Sequence, residues 1–427
     1  MGVIICFFLI AYIYPVFFIV AQVGLITIVV LLIYDMVLLY GKHSGVKATR
    51  LCANRFSNGD ENSVQIVLEN NYPIGILTDT IDEIPHQFQR RDINFYVYIN
   101  ASENKILEYS LRPVKRGVYN FGLIRIFVRT SIGLAKRRFT CDKEKSIEVY
   151  PSYMQLQKYE LMAISNNLTE LGIKKVRRVG HNIEFEHIKE YVEGDDYRTI
   201  NWKATARKSQ LMVNLYQDEK SQNVYSLIDK GRMMQMPFEG MSLLDYAINS
   251  SLVLSSIAIK KDDKAGIMTF EKGFDDFLPA SRQRKQMHQI LKFLYNQSTT
   301  FGETDYSNLY VQLKHRVKRR SLLLLYTNFE SIHSLERELP FFQKLAQSHL
   351  LIVIFFENTE LEQLVNKKAD DTSGIYQKVI AEQFAFEKIQ VVKTLRRHGI
   401  QTILSKPKDL SISVINKYIE LKARQLI

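Results

Sequence analysis

The sequence predicts a multidomain chain of 427 residues: two transmembrane helices within 1–40, a β-sandwich-like domain over 45–150, a signature segment over 151–222 and an α/β doubly wound domain over 223–427. Three observations predict it. No charged side chain precedes Asp35. From about residue 45 to 150, short apolar runs alternate with turn residues. After Val213, short continuous apolar runs alternate with helical patterns. With 46% hydrophobic and 24% charged residues, the chain has the composition of packed domains, neither disordered nor wholly embedded in lipid.

As one helix the apolar run to Tyr40 would extend roughly 60 Å at 1.5 Å per residue, about twice the hydrocarbon thickness of a bilayer. Two membrane segments are therefore expected, near 2–17 and 20–40, with the reversal around Pro15 and Gln22. A signal peptide is disfavoured, because no basic residue precedes the apolar run and no small-residue cleavage site follows it. Lys42, His43, Lys47 and Arg50 come directly after the second segment, so the positive-inside rule places the remainder in the cytoplasm. Cys6, Cys52 and Cys141 lack CxxC spacing and indicate neither a disulfide framework nor a zinc site.

From 45 to 150, Val64, Ile66 and Leu68 recur at period two, as do Phe95, Val97 and Ile99. This pattern predicts antiparallel strands, with Val67, Tyr96 and Tyr98 blurring the alternation. The net charge of +12 suits an anionic membrane surface, a nucleic acid or an acidic partner. Lys174, Lys175, Arg177 and Arg178 form a basic run that reads as a solvated face, or else as a contact with anionic headgroups. Without interleaved stacking aromatics it does not suggest nucleic acid.

Beyond Val213, Val224–Ile228, Ile267–Phe270, Leu322–Leu325, Leu350–Phe356 and Gln401–Leu404 are strands suited to burial on both faces of a parallel sheet. Helices are expected between them, through Leu244 to Ala258, from a cap at Asp305 through Leu309, Leu313 and Val317 with Lys318 to Arg320 at its carboxyl end, and from about Ser411. Right-handed crossovers follow from that alternation.

Between these regions, Gly180 to Val213 concentrates charge around the single tryptophan, Trp202. Asp195, Asp196, Arg198 and Arg207 surround it in sequence. One reading is a packing knot, in which Asp195 or Asp196 caps a helix from Thr199 to Lys208 and Arg198 or Arg207 stacks on the indole. The other is a docking surface, since charged and aromatic clusters on loops serve recognition. Because an indole is seldom left exposed, Trp202 is expected to pack, and Trp202→Ala to destabilise the soluble part. Arg198→Lys is expected to leave melting nearly unchanged while weakening a partner, because lysine lacks the planar fork.

The spacing of Gly180, Glu184, Phe185, Glu190, Tyr191, Gly194, Asp195, Asp196, Arg198, Ile200, Trp202, Ala206 and Arg207 resembles the signature of the bacterial domain of unknown function 58 family. Lys189 and Asn201 depart from it, standing where the family more often has arginine and aspartate. Arg116 to Gly122, Gly133, Leu134 and Val149 to Pro151 resemble the region that the family carries between membrane hairpin and signature. The resemblance implies a multi-pass protein of the inner membrane with cytoplasmic domains. It further implies association with MoxR-type AAA ATPases and with other membrane proteins carrying von Willebrand factor A domains. The signature residues from Glu190 to Arg207 are then the binding candidates.

The α/β region itself looks like a von Willebrand factor A domain, whose metal motif is DxSxS, a later threonine and a later aspartate. Asp229 matches the first acid, Gly231 and Met233 replace both serines, Ser307 stands for the threonine and Asn328 replaces the aspartate. A hard divalent cation needs several oxygen ligands, so Asp229 and Ser307 are expected to make at best a degenerate site, with no cofactor.

The chain lacks GxxxxGK[ST], GxSxG and HExxH. His181, Glu184, Glu186 and His187 read more simply as the polar face of a strand than as a metal cluster. A non-catalytic adaptor anchored in the lipid bilayer is the preferred reading. The alternative is a weakly metal-dependent hydrolase using Asp195, Asp196 and Asp229. The topology has a direct test: a cysteine introduced by Lys105→Cys should be unreactive to an impermeant maleimide in intact cells and reactive after permeabilisation.

Overall fold

The computed structural model describes the chain except residues 1–5, 8, 10–11, 15, 143, 155, 157–182, 194, 196, 219–220, 274–275, 284, 330, 359–364, 366–371, 425 and 427. The chain divides into two compact units, Met1–Tyr150 and Pro151–Ile427.

The first unit contains a helix, Val16–Tyr40. From Phe17 to Tyr40 it is long and apolar enough to cross a membrane, and nearly all of it is exposed. Among the described residues it is the single such helix, so the expected pair of segments reduces to one candidate span. Half of the segment near 2–17 lies outside the described residues.

Ten strands follow: β1 (Val46–Cys52), β2 (Arg55–Ser57), β3 (Asn62–Asn70), β4 (Ile76–Asp82), β5 (Asn94–Ile99), β6 (Asn104–Leu111), β7 (Gly117–Phe121), β8 (Ile124–Arg129), β9 (Arg137–Cys141) and β10 (Lys145–Tyr150). They form sheets ordered β1-β3-β6, β2-β10-β7 and β5-β4-β8-β9. The period-two pattern of β3 holds, with Val64, Ile66 and Leu68 fully buried and the residues between them partly exposed. Tyr96 and Tyr98, which blur the alternation in β5, lie on its outer face and are exposed. Ile66 and Leu68 of one sheet share a core with Ile76, Ile99 and Ile126 of another, and Leu39 of the helix enters the same core.

Arg50 of β1 and Asp82 of β4 form an ion pair with both side chains fully enclosed. The Arg50 Nε donates to Asp82 at 3.1 Å, its Nη2 to the Gly122 carbonyl at 3.0 Å, and the Tyr109 hydroxyl also donates to Asp82.

In the second unit, β11 (Ile183–Glu190) and β12 (Met212–Asp218) make an antiparallel ribbon. The main sheet contains β13 (Asn223–Asp229). After the small hairpin of β14 (Pro237–Phe238) and β15 (Met241–Ser242), it continues with β16 (Lys264–Phe270), β17 (Asp276–Ser281), β18 (Leu322–Tyr326), β19 (Leu350–Phe356) and β20 (Gln401–Ser405). Its order is β17-β16-β13-β18-β19-β20, parallel except for β17.

The continuous apolar strands divide their side chains between two cores by simple alternation. Leu322, Leu324, Ile352 and Ile354 face one core, while Leu323, Leu325, Leu351 and Val353 face the other. Helices Leu243–Lys260 and Leu410–Ala423 cover the first face, and Tyr306–Arg316, Ile332–Ser348 and Thr372–Arg397 cover the second. This is a mixed, doubly wound α/β unit. Asp305 caps its helix as expected, accepting from Asn308 N at 2.9 Å. The edge strand β17 was not expected, and it contains Pro279, which an edge tolerates because no ladder donor is required there.

The Arg50–Asp82 pair sets the first prediction of stability. Arg50→Met leaves a buried carboxylate without its cation and should cost about 3–5 kcal/mol. Arg50→Met with Asp82→Leu should cost less than the sum of the two single changes. Pulse proteolysis of the detergent-solubilised chain across a urea series measures both.

Candidate docking face and the carboxyl edge of the sheet

The ribbon of β11 and β12 is closed by the segment 191–211. Tyr191 N donates to Leu211 O at 2.9 Å, and Asn201 N to Met212 O at 2.8 Å. Ile200 bridges Val213. Met212 and Val213 turn inward and are buried. The charged signature residues close the first turn of the loop: Lys189 Nζ donates to Asp195 Oδ1 at 2.9 Å and Val192 N to Asp195 Oδ2 at 3.0 Å. The hydrogen bonds from Lys189 and the Val192 amide hold the Asp195 carboxyl below the usual carboxylate range.

The expected helix from Thr199 is corrected. A 3₁₀ turn occupies Tyr197–Thr199, and the α-helix is Trp202–Lys208. Its cap is Asn201, whose Oδ1 accepts from Ala204 N at 3.0 Å, so Asp195 does not cap it. Asn201 Nδ2 also donates to Asn214 Oδ1 at 2.8 Å, and the Thr205 hydroxyl accepts from Met212 N at 3.0 Å. The signal was present in the sequence, since asparagine before a short run of helix formers is a preferred cap.

The expected burial of Trp202 is also corrected. The helix Trp202–Lys208 buries none of its residues. Trp202 is 71% exposed and Tyr197 69%. Val192 and Leu211 are exposed too, as are Glu190 and Arg207, while Tyr191 is half-buried. The loop is held by its backbone and by Asn201, Thr205 and Asp195, and the indole takes no part in that scaffold. Gly180, Gly194, Asp196 and the side chains of Glu184, Phe185 and Arg198 lie outside the described residues, as do the run Lys174 to Arg178 and the side chains of His181, Glu186 and His187.

A second cluster forms where β13 and β18 end. The order with β13 central makes this edge the topological switch point, where open α/β sheets bind ligands. Asp229 ends β13 and is 1% exposed. Its Oδ1 accepts from Gly231 N and Thr304 Oγ1, both at 2.7 Å; its Oδ2 accepts from Thr327 Oγ1 at 2.7 Å and the Tyr306 hydroxyl at 3.0 Å. Burial pushes the Asp229 carboxyl up, against the pull of these four donors.

Ser307 is corrected: its hydroxyl donates to Asp305 at 2.7 Å, and the threonines on Asp229 are Thr304 and Thr327. Gly231 makes room for that contact, because a Cβ there would fall 1.9 Å from Thr304 Oγ1. Asn328 carries the ammonium of Lys388, which also donates to Phe329 O at 2.9 Å. Asn328 and Lys388 help to line a cavity of about 330 Å³, together with apolar groups such as Met236, Phe356, Phe384 and Leu404. Among the described residues no group of three or more His, Cys, Asp or Glu side chains is placed to hold a metal.

Two solved structures align to about a quarter of the chain at low similarity. They are the CARDB domain of the PF1109 protein from Pyrococcus furiosus (16% identity, 24% of this chain and 86% of that one, TM-score 0.19) and the ASH/PapD-like domain of human CEP192 (11%, 26% and 87%, 0.20). Among curated proteins, the chain is 22% identical over 200 residues to the uncharacterized protein YeaD of Bacillus subtilis (strain 168), covering 45% of this chain and 49% of the relative. The chain thus spans about half the length of that relative. Residues 187–363, from β11 through β19, match the family described as Protein of unknown function DUF58.

Proposed function

We propose that the chain is a membrane-anchored, non-catalytic docking protein whose soluble parts face the cytoplasm, and that it works with a MoxR-type AAA ATPase in assembling or maturing protein complexes. The single observation that carries this reading is the exposure of Trp202 at the start of a helix that buries none of its residues. Tryptophan, tyrosine and arginine supply most binding hot spots, and an exposed indole with no packing role gains its stabilisation when a partner covers it. The identity of the ATPase comes from the resemblance of Glu190 to Arg207 to the family signature.

The α/β unit is read as von Willebrand factor A-like. A central first strand, an antiparallel third strand and an aspartate at the end of the first support that reading. The residues present are a poor fit for a divalent cation: Asp229 spends both oxygens on four protein donors, Ser307 points elsewhere, and Lys388 sets a positive charge on Asn328. A hydrolase would need Asp195 and Asp229 free to bind metal, and each is already engaged by its own partners.

Three measurements test these readings. Trp202→Ala should leave the melting temperature within about 2 °C of the parent, as surface substitutions do. It should weaken recovery of the ATPase from solubilised membranes about thirtyfold, the loss of one hot spot of about 2 kcal/mol. Quantitative mass spectrometry of co-purified protein checks it, and undiminished recovery sinks the docking reading. Asp229→Ala should destabilise the chain by about 3 kcal/mol, because buried hydroxyl donors lose their acceptor. Magnesium at 1 mM should stabilise the parent by no more than about 0.4 kcal/mol, the value for a millimolar dissociation constant, as read by a melting curve with and without the ion.

A further inference from the structure

Asp35 is the one charged residue within the span Phe17–Tyr40, and it is fully buried. Its Oδ1 accepts from the Thr130 hydroxyl and its Oδ2 from Ala135 N at 2.7 Å. Both donors belong to the loop 130–136 between β8 and β9. The loop is braced from within, since Ile132 N donates to Thr130 Oγ1 at 3.2 Å. A second clamp lies just beyond: the Arg137 guanidinium donates to Leu39 O, to Lys42 O at 2.8 Å and to His43 O at 3.2 Å, and covers the Tyr40 ring at 4.9 Å. The Tyr72 hydroxyl donates to Leu39 O at 2.6 Å. The loop is thus fixed against the helix at the height of Asp35.

That height can be placed in a bilayer. The 24 residues from Phe17 to Tyr40 extend about 36 Å and the hydrocarbon about 30 Å. Asp35, five residues before Tyr40, then lies within about 8 Å of the hydrocarbon boundary wherever the surplus length falls. Tyr34 and Tyr40 are exposed around this level, where interfacial aromatics sit, and Lys42, His43 and Lys47 follow. The loop tip carries exposed Ile132 and Leu134 and is followed by exposed Arg138.

We propose that the loop 130–136 is a second membrane contact: Ile132 and Leu134 enter the interface of the bilayer that the helix crosses, and Arg138 meets its anionic headgroups. The depth of about 5–10 Å typical of interfacial apolar side chains matches the height set by Asp35. The contact also explains why protein reaches so far along the helix. A carboxylate at that depth is costly in lipid, and the loop shields it with a hydroxyl and an amide. The inference rests on the helix crossing a membrane and is independent of any ATPase.

The single tryptophan makes the test simple. In a Trp202→Phe background, Leu134→Trp and, separately, Val29→Trp are placed in the full chain and reconstituted into phosphatidylcholine and phosphatidylglycerol vesicles containing brominated lipids. The expected result is loss of fluorescence at 134 with bromines near the carbonyl end of the acyl chain, and at 29 with deeper bromines. The unaltered Trp202 of the parent serves as the reference for an aqueous site. Quenching at 29 without quenching at 134 overturns the loop contact while leaving the anchor intact. Absence of quenching at both sites overturns the membrane-spanning premise and the loop contact with it.

Discussion

The parallel sheet imposes one constraint on which the rest of the second unit depends: β13 is covered on both faces, so a charged group at its end must be satisfied by protein. Asp229 occupies that place, and it draws a backbone amide, two threonines and a tyrosine from three separate segments onto one carboxylate. Burying an unpaired carboxylate would be prohibitive; bonded to four donors it becomes a joint. This arrangement decides the chemistry available at the edge. The carboxylate oxygens that a cation would need are engaged in tying β13 to β18 and to the start of the helix Tyr306–Arg316. Gly231, a departure from the metal motif in sequence, has a positive role here, since a larger residue would displace Thr304.

The signature follows the opposite logic. There the scaffold is made from main chain and short polar side chains, Asn201 and Thr205 above all. Among the described residues of this segment, the buried ones are Met212 and Val213. A loop built in this way tolerates large side chains pointing outward, and the indole of Trp202 is one that the local fold leaves exposed. The distinction between a packing knot and a recognition surface therefore rests on where the indole points, which no spacing of residues encodes.

Legibility followed the same line. Strands buried on both faces were readable because desolvation forces continuous apolar runs, and all five expected parallel strands occur where the runs are. Helices with polar caps were readable for the same kind of local reason, as at Asp305. What eluded sequence reasoning was set by tertiary partners. The edge strand β17 lacks a distinctive pattern, because one of its sides has no neighbour to satisfy. Ser307 was expected to stand for the threonine, yet Thr304 lies as near the helix start, and only the turn of the chain decides which hydroxyl meets Asp229. The indole of Trp202 was expected inside on the general habit of tryptophans, and the loop left it outside. Asp35 seemed merely to interrupt an apolar run, because its partners lie about a hundred residues away in the chain.

Four buried carboxylates share a common design. Asp35 joins the first helix to the loop after β8, and Asp82 joins β4 to β1 and β6. Asp229 joins β13 to its neighbours. Asp263 joins the loop before β16 to the last helix, through the Tyr418 hydroxyl and through Lys422 Nζ at 2.6 Å. Each accepts from donors distant in sequence, so each is satisfied only when the elements it links have come together. Apolar contacts are tolerant of small shifts, whereas a buried carboxylate loses much of its compensation when a donor moves away. Placing one at each of these joints therefore penalises alternative packings more than it adds to overall stability. In the first unit the consequence reaches the apolar helix: with Asp35 and Arg137 engaged, the helix cannot rotate or slide against the sheets without breaking these contacts, so the strands keep a fixed height relative to the helix axis.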